Sequence, residues 1–391
     1  MKAVGIISEC NPFHSGHTYL MKEARRKSGA DYIITVMSGD FVQRGEPAVF
    51  NKYKRTERAL EGGADLVFEL PVRFCLSSAG DFALGGILAL ASLGIVTDLY
   101  FGSECGELTP LMQAAQILFQ ETNSGHHLYS HHLQTALKSG LSFPAARAQA
   151  LSRVTSIDTK ILEEPNNILG IEYCRALLQS GASITPHTIK RNGQSYHDNR
   201  LPANGSLPTD NCHPSATALR RQIYLTETPH LCLNDCSETI GYALLQHKNL
   251  EIIKDISPEL AARMRKYSDN YQDAAGFVRD CQTRTYTESR IRRALLQTVL
   301  ELTDTPSTMP YLRLLGMKKS AGTLLKKVRH KTLSEKTTLI TRLAADIKKM
   351  DKNALFLLEK DLLASGWYRQ MWQRKYKDRL PNEYQRTIVM Y

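Results

Sequence analysis

The sequence of 391 residues lacks the long apolar runs and processing signals of membrane and secreted proteins. Its longest apolar stretch, residues 82–96, is shorter than the roughly 18 consecutive apolar residues that a membrane-spanning helix needs. The N-terminus turns polar after a few apolar positions and has no small-residue cleavage site, so it does not resemble a secretory signal. We therefore expect no membrane association and predict a cytoplasmic protein.

The sequence also lacks paired cysteines and low-complexity tracts. Its eight cysteines are scattered and include no CxxC pair, which argues against a disulfide framework and against a structural zinc site. We assign no metal-ligating residue. With 42% hydrophobic residues and no Gly/Ser, Gln/Asn or acidic tract, nearly the whole chain is expected to fold, as two or three domains.

The net charge of +11 is concentrated at one end of the chain. Residues 311–391 contain 19 Lys and Arg against 7 Asp and Glu, whereas the remaining residues are nearly neutral. Such clustering indicates a polyanionic partner, with nucleic acid first and an anionic membrane surface second. The alternative is a solvated charged face on helices.

The first hundred residues alternate strand-like and helix-like patterns. Short, continuously apolar runs predict buried strands at 3–8, 31–37, 64–71 and 97–103. Helices are expected between these strands, near 16–28, 51–62 and 78–93. The repeated pattern predicts an α/β fold with a Rossmann-like, parallel, doubly wound sheet, in which ligands bind at the carboxyl ends of the strands.

The rest of the chain is predicted to be mainly helical. One more strand is expected at 183–191, followed by a long polar loop at 191–213 of the kind that forms functional lids or is disordered. A helix over 215–225 follows, with Ser215 as its N-cap, and only helical periodicity appears from about residue 235 onward. The predicted division is an α/β domain, residues 1–230, and an α-helical basic domain, residues 231–391.

The loop after the first strand carries two histidines at the start of a predicted helix. Free backbone N–H groups and the positive end of the helix dipole lie beside His14 and His17. Gly16 lets a phosphate approach the backbone, and the two imidazoles can donate hydrogen bonds to a phosphoryl group. The pattern favours an anion site, and the alternative is a pair of helix-capping histidines.

Polar residues follow the other strands at the same end of the predicted sheet. After the second strand come side chains that could neutralise a triphosphate or clamp a carboxylate, namely Asp40, Gln43, Arg44, Lys52 and Arg55. Gly102 follows the fourth strand, and Asn166 and Asn167 begin a helix. Ser215, Thr217 and Arg220 form a second candidate phosphate-binding helix start. The alternative for the charged group is a loop and an exposed helix.

Six ordered segments together resemble the bacterial tRNA(Met) cytidine acetate ligase family. They are GIISECNPFHSGH, MSGDFVQRGEPA, GADLVFELP, FGSE, PNNILGIEY and SATALR, and they cover most of residues 1–225. The HxGH loop and the S-x-T-x-x-R helix are also similar to those of the nucleotidyltransferase superfamily, which shares its fold with class I aminoacyl-tRNA synthetases. Cys10 departs from the tyrosine that the family often has there, and an acyl-adenylate mechanism needs no covalent role for its thiol.

The resemblance implies an ATP-dependent ligase. Such an enzyme makes acetyl-adenylate from acetate and ATP, with Mg²⁺, and then acetylates N4 of the wobble cytidine (position 34) of elongator tRNA(Met), with no protein partner implied. Catalytic roles are expected for His14, His17, Lys52 and Arg55, and acetate or pyrophosphate contacts for Asp40, Gln43 and Arg44. The expected ATP contacts are Ile7, Ser8, Glu9, Cys10, Asn11, Pro12, Phe13, His14, Ser15, Gly16, His17, Thr18, Tyr19, Leu20, Gly102, Asn166, Asn167, Arg191, Ser215, Thr217 and Arg220.

The basic C-terminal segment is the expected tRNA-binding surface. The candidate phosphate contacts are Lys326, Lys327, Arg329, Lys331, Arg374, Lys375 and Lys377. Trp367, Tyr368, Trp372 and Tyr376 are interleaved with cations, a mix suited to stacking on anticodon-loop bases, with core packing as the alternative. Two other functions stay open: a nucleotidyltransferase acting on a phosphorylated metabolite, and a noncatalytic RNA-binding factor.

Overall fold

The structure is a computed structural model that describes residues 1–123, 127–191, 215–304, 306–334 and 337–391. The predicted loop at 191–213 therefore lies, from residue 192 on, outside the described residues. The strands are β1 (Ala3–Ser8), β2 (Tyr32–Ser38), β3 (Phe41–Val42), β4 (Glu46–Pro47), β5 (Leu66–Leu70), β6 (Val96–Ser103), β7 (Thr185–Lys190), β8 (Tyr311–Met317), β9 (Thr338–Ile340) and β10 (Val389–Met390). The helices are α1 (Ser15–Ser28), α2 (Lys52–Glu61), α3 (Val72–Cys75), α4 (Ala79–Ser92), α5 (Leu108–Asn123), α6 (Leu128–Lys138), α7 (Phe143–Thr155), α8 (Thr159–Glu163), α9 (Pro165–Ser180), α10 (Ala216–Leu225), α11 (Ser237–Gln246), α12 (Pro258–Ser268), α13 (Ala274–Cys281), α14 (Glu288–Leu300), α15 (Gly322–Ser334), α16 (Leu343–Asp346) and α17 (Lys352–Tyr376).

Eight of the ten described strands form one sheet in the order β10-β8-β5-β2-β1-β6-β7, with β9 paired to β8, and β3 and β4 pair antiparallel as a separate hairpin. The five strands predicted from the sequence, β1, β2, β5, β6 and β7, run parallel to one another, which confirms the predicted α/β sheet. Strand order reverses at β1, because β2 lies on one side of it and β6 on the other. The crevice at the carboxyl ends of β1 and β6 is where sheets of this kind bind ligands.

Strand β1 is buried on both faces, which explains its uninterrupted apolar sequence. Val4 and Ile6 pack in one core cluster with Met21 of α1. Gly5 faces the opposite helix, α4, where a Cβ atom would lie only 2.5 Å from Cδ1 of Leu90. This close packing of helices on both faces fixes β1 centrally and brings the N-terminus of α1 to the crevice.

The C-terminal part of the chain differs from the prediction of an all-helical segment. Strand β8 lies antiparallel to β5 inside the main sheet, and β9 and β10 pair with β8. Every residue of β8 is buried, so its apolar run is a strand signal like those of the first hundred residues. The expected boundary at residue 230 therefore does not separate the sheet from the helices.

A second core lies in the helical part, where α11 to α14 pack with α17. Trp367 stacks on Phe41 with ring centroids 5.0 Å apart, and the Tyr368 hydroxyl donates to the Ala48 carbonyl at 3.0 Å. Both aromatic residues are buried, so core packing is the correct interpretation for them and base stacking is wrong. Among the helices described, none combines the length and the apolar character needed to cross a membrane.

Candidate functional site

The two histidines of the first loop cap the N-terminus of α1. The backbone N–H of Gly16 donates to Nδ1 of His14 at 3.0 Å, and the backbone N–H of His14 donates to Nδ1 of His17 at 3.2 Å. The two imidazole centroids lie 4.0 Å apart. Because each Nδ1 accepts a hydrogen bond, the proton of a neutral ring lies on Nε2. The capping geometry thus selects the tautomer that donates from the distal nitrogen.

His17 is held in its neutral form. Burial, and second the positive charge of Arg191, lower the pKa of the His17 imidazole to about 3. The ring is therefore uncharged at neutral pH. A neutral donor can bind a phosphoryl oxygen without first losing or gaining a proton.

The depressed pKa of His17 makes the folded state less stable in mild acid. The folded pKa of about 3 lies below the ordinary value of 6.5, so the unfolded chain binds a proton that the folded chain excludes. Stability is thus full above about pH 6.5 and declines toward pH 3. Between about pH 6.5 and 5 we expect the loss, measured by urea denaturation, to be smaller in His17→Asn than in the wild type, by at most about 1.4 kcal/mol per pH unit. Identical slopes in both proteins would contradict this.

Arg191 joins the ends of β6 and β7 to the start of α9. Its backbone N–H donates to the Ser103 carbonyl at 3.0 Å, and its Nη1 donates to Oδ1 of Asn166 at 3.3 Å. A Cβ atom at Gly102 would lie 3.3 Å from Cγ of Arg191, so the glycine leaves room for this side chain. The structure therefore brings three predicted ATP contacts, Gly102, Asn166 and Arg191, to one wall, and the charge of Arg191 reaches His17.

Asn167 does not face this wall, contrary to the prediction. Its side chain is 1% exposed, its Oδ1 accepts from the backbone N–H groups of Glu104 and Cys105, and its Nδ2 donates to the Ile161 carbonyl at 2.9 Å. The Glu104 carboxylate in turn accepts from the backbone N–H groups of Asn166 and Asn167. A protein carboxylate thus occupies the N-terminus of α9, where the sequence suggested a ligand.

Arg220 connects the start of α10 to the first loop. Its Nη1 donates to the Asn11 carbonyl at 2.8 Å, its Nη2 donates to Oγ1 of Thr217 at 3.1 Å, and its Nε lies 3.4 Å from Oε1 of Glu46. Ser215 caps α10 as predicted, since its Oγ accepts from the Ala218 N–H at 3.1 Å. The predicted second helix start therefore lies beside the histidine loop.

The β3–β4 hairpin carries Gln43 and Arg44 to the same place. The Gln43 backbone N–H donates to Oε1 of Glu9 in the first loop at 2.6 Å. Burial, and second the like charge of Arg220, lower the pKa of Arg44. Gly45 at the hairpin tip has φ +77°, and a Cβ there would lie 2.5 Å from the backbone N of Arg293 in α14. The hairpin is thus pressed between the first loop and the helical part.

Arg292 and Arg293 of α14 lie beside the site, although no sequence pattern predicted a role for them. Arg293 donates from Nη1 to the Gln43 carbonyl at 3.1 Å, and Nη1 of Arg292 lies 3.4 Å from Oε2 of Glu46. Both lie on a helix with ordinary amphipathic periodicity. No local pattern links that helix to a hairpin some 250 residues earlier.

Three residues predicted to contact acetate, pyrophosphate or the reacting groups are instead buried among protein partners. Arg55 is 1% exposed and donates to the carbonyls of Glu9 at 2.7 Å, Ser38 at 3.0 Å and Gly39. Lys52 is fully buried, with its Nζ 2.7 Å from Oε1 of Glu69. Asp40 is also buried and accepts from the Lys52 backbone N–H at 2.9 Å. Arg55 ties two loops together, Lys52 belongs to a buried ionic network, and none of the three faces the crevice.

The other residues of the first loop fall into two groups. Cys10 is buried with φ +49°, and burial raises the pKa of its thiol to about 11, so it is a protonated packing residue. Phe13 stacks on His17 with centroids 5.2 Å apart. Ile7, Asn11 and Pro12 are buried, and the half-buried remainder is Ser8, Glu9, Ser15, Gly16, Thr18, Tyr19 and Leu20.

Comparisons with known proteins agree with this geometry. A family model described as HIGH Nucleotidyl Transferase matches residues 1–383. The chain is 33% identical to the tRNA(Met) cytidine acetate ligase of Fervidobacterium nodosum, over 100% of this chain and 99% of that protein. It is 36% identical to the protein of the same name from Caldanaerobacter subterraneus subsp. tengcongensis, over 94% of this chain and 95% of that protein.

Solved structures match over the same length. Apo TmcAL of Thermotoga maritima (form I) superposes with a TM-score of 0.84 at 30% identity, covering 100% of this chain and 99% of that chain. Form II of the same protein, bound with alpha-thio ATP, superposes with a TM-score of 0.82 at 31% identity and the same coverage. The chain therefore belongs to the HIGH nucleotidyl transferase family and, within it, to the tRNA(Met) cytidine acetate ligases.

Proposed function

We propose that this chain activates acetate with ATP and transfers the acetyl group to N4 of the wobble cytidine of elongator tRNA(Met). The observation that carries the proposal is the pair of distal imidazole donors at the N-terminus of α1, at the point where strand order reverses. It stands in a chain that is similar over nearly its full length to ligases of that name. Such a substrate implies a cytoplasmic enzyme.

The first step needs electrostatic stabilisation and in-line positioning. An acetate oxygen attacks the α-phosphorus of ATP, the bond from that phosphorus to the bridging oxygen breaks, and pyrophosphate leaves with the electron pair. Negative charge shifts onto the leaving group during this step. The Nε2 donors of His14 and His17, together with the positive end of the α1 dipole, can stabilise such charge, and the capping hydrogen bonds fix the two rings so that no reorganisation is needed.

The remaining walls of the crevice supply binding groups. Arg191 and Asn166 on one side are suited to the adenosine or its phosphates, with Gly102 leaving space for the Arg191 side chain. Arg44 and Arg220 on the other side place positive charge near the first loop. In the second step the exocyclic amine of cytidine attacks the acyl carbon, the bond from that carbon to the AMP oxygen breaks, and AMP and a proton are released.

Mg²⁺ is proposed as a companion of ATP. Among the described residues no group of three or more His, Cys, Asp or Glu could hold a metal ion. The ion would therefore arrive on the triphosphate, as Mg²⁺ commonly does, and no step is assigned to it.

The basic surface proposed for tRNA contains two unlike groups. Lys326, Lys327 and Arg329 are exposed on α15. Arg374 instead pairs with Glu238, and Lys375 lies 2.9 Å from a carboxylate oxygen of Asp235. The α15 cations are therefore the better candidates for phosphate contacts, since paired cations have less charge to offer.

Replacing Lys326 and Lys327 with glutamine is expected to weaken tRNA binding and to reduce its dependence on salt. Each lost phosphate contact lowers the slope of log K against log[salt] by about 0.9, so the double variant should lose about 2. Filter binding across a salt series measures this, and acetate-dependent ATP–pyrophosphate exchange, which needs no tRNA, checks folding. The matched double variant Arg374→Gln/Lys375→Gln removes two paired cations and should change the slope less, and an equal effect of both double variants would contradict the distinction.

The direct test of the proposed function is mass spectrometry of cytidines. Elongator tRNA(Met) is incubated with the protein, ATP and isotopically labelled acetate, and labelled N4-acetylcytidine at position 34 is expected. Pyrophosphate exchange that requires a phosphorylated metabolite in place of acetate would favour the alternative nucleotidyltransferase. Acetylation that survives His14→Ala and His17→Ala would show that the crevice does not perform the chemistry.

A further inference from the structure

A second cavity opens beside the end of β2, and its lining residues do not include those of the histidine loop. It has a volume of about 170 Å³ and lies between the start of α2, the middle of α17 and residues 380–386. The polar lining side chains that indicate what the cavity could bind are Asn51, Tyr53, Arg369, Asn382, Glu383 and Arg386. Since a water molecule needs roughly 10–15 Å³ of such volume, the space can hold a small oxyanion together with several waters.

The carboxylates at the base of this cavity already form ion pairs with cationic side chains of the protein. The Glu383 carboxylate lies 3.0 Å from Nζ of Lys52, pairs with Arg313 and accepts from the Tyr53 hydroxyl at 3.0 Å. With Asp40 and Glu69, the network contains three carboxylates and two cations, a net charge of −1. These carboxylates are therefore poor acceptors for a ligand's donors.

Two guanidinium groups line the cavity and are not paired with the carboxylates of this network. Arg386 lies over the Tyr53 ring at 4.6 Å, and its Nε is buried with no hydrogen-bond partner among the described residues. Arg369 also lines the cavity, and no hydrogen bond or ion pair joins its side chain to another residue that the structure describes. Added to the −1 of the network, these two charges give the cavity and the network beneath it a net charge of +1.

The two asparagines add further donors. Oδ1 of Asn51 accepts from the Lys54 backbone N–H at 3.0 Å, and Oδ1 of Asn382 accepts from the Tyr384 backbone N–H at 2.9 Å. Both amides therefore use their acceptor oxygen for the backbone and keep the NH₂ group as a donor. The cavity offers donors on several sides and few uncommitted acceptors.

We propose that this cavity binds a phosphoryl group. Two guanidiniums and two amides suit a tetrahedral oxyanion, which accepts from several directions, better than an uncharged or cationic ligand. The group can come from a backbone phosphate of bound tRNA or from a free phosphate. The tRNA source rests on the proposed function, whereas the phosphate site itself does not.

Two titrations of the full chain distinguish these sources. The test variant is Arg369→Gln/Arg386→Gln. The control is Arg153→Gln, which removes an exposed positive charge from α7. In the first, inorganic phosphate is titrated calorimetrically into protein saturated with alpha-thio ATP, so that the histidine crevice is filled. In the second, tRNA(Met) is titrated across a salt series. The single variants Arg369→Lys and Arg386→Lys keep the charge and serve if the double variant folds poorly.

A free-phosphate site predicts about 10- to 100-fold weaker phosphate binding in the double variant and unchanged tRNA affinity. A tRNA backbone site predicts weaker tRNA binding with a salt slope reduced by about 1. Either result supports the proposal. Unchanged binding of both ligands, or the same loss in Arg153→Gln, overturns it. Acetate-dependent exchange by the wild-type chain tests the proposed function separately, so the two failures are distinguishable.

Discussion

Replacing His17 with alanine is expected to reduce acetate-dependent ATP–pyrophosphate exchange by about 10²–10³-fold, the usual effect of removing one preorganised donor from a developing negative charge. The imidazole is neutral at working pH, because its pKa is lowered to about 3, and its Nδ1 is bound to the backbone N–H of His14. The loss should therefore appear in kcat and vary little between pH 6 and 8. Exchange of labelled pyrophosphate into ATP measures it.

Two further variants separate the donor from the helix cap. In His17→Asn the side-chain oxygen can replace Nδ1 as the acceptor for the His14 N–H, while the distal donor is removed. The reverse case is His17→Gln, whose longer side chain keeps a distal N–H donor and loses the near acceptor. We expect wild-type stability at neutral pH with low exchange in the first variant, and partial exchange with lower stability in the second. His187→Asn, on β7 and bonded to Asp98 at 2.8 Å, is the matched control. Near-normal exchange in His17→Asn would refute the phosphoryl role.

Much of the α/β sheet could be predicted because its signals are local. Continuous apolar runs mark strands buried on both faces, and the two histidines, Gly102 and Asn166 of the crevice all lie close to such runs or to a helix start in the sequence. The N-cap role of Ser215 can likewise be predicted, because the signal for it lies within a few residues of the start of α10. Where a residue's position depends on its nearest neighbours in sequence, the pattern suffices.

The role of a charged side chain is harder to predict, because it depends on distant partners. Lys52 resembles a surface cation at the start of an amphipathic helix, yet the network around it includes Glu383 and Arg313, far along the chain. Arg55 similarly serves carbonyl groups of two different loops. The approach of α14 to the hairpin also depends on tertiary packing, so Arg292 and Arg293 gave no local signal.

Replacing Lys52 with methionine is expected to lower the free energy of unfolding by about 3–5 kcal/mol, the cost of leaving buried charge without its partner. Lys52 is fully buried and its Nζ lies 2.7 Å from Glu69 and 3.0 Å from Glu383. Although burial acts to raise it, the pKa of Glu383 is lowered to about 2 by the charges of Lys52 and Arg313. Urea denaturation at neutral pH measures the loss.

The pH dependence of the free energy of unfolding, and a second substitution, identify the broken ionic network as the cause of this loss of stability. Because the folded pKa of Glu383 lies below its ordinary value of 4.5, the stability that it contributes is present above about pH 4.5 and is lost as the pH falls toward 2. That decline should be smaller in Lys52→Met. Adding Glu383→Gln removes one uncompensated carboxylate, so the double variant should lose less than the sum of the single losses. The opposite outcome is that Lys52→Met unfolds at the same urea concentration as the wild type and abolishes pyrophosphate exchange. That result would show that Lys52 is catalytic and that the buried network does not account for a lysine at this position.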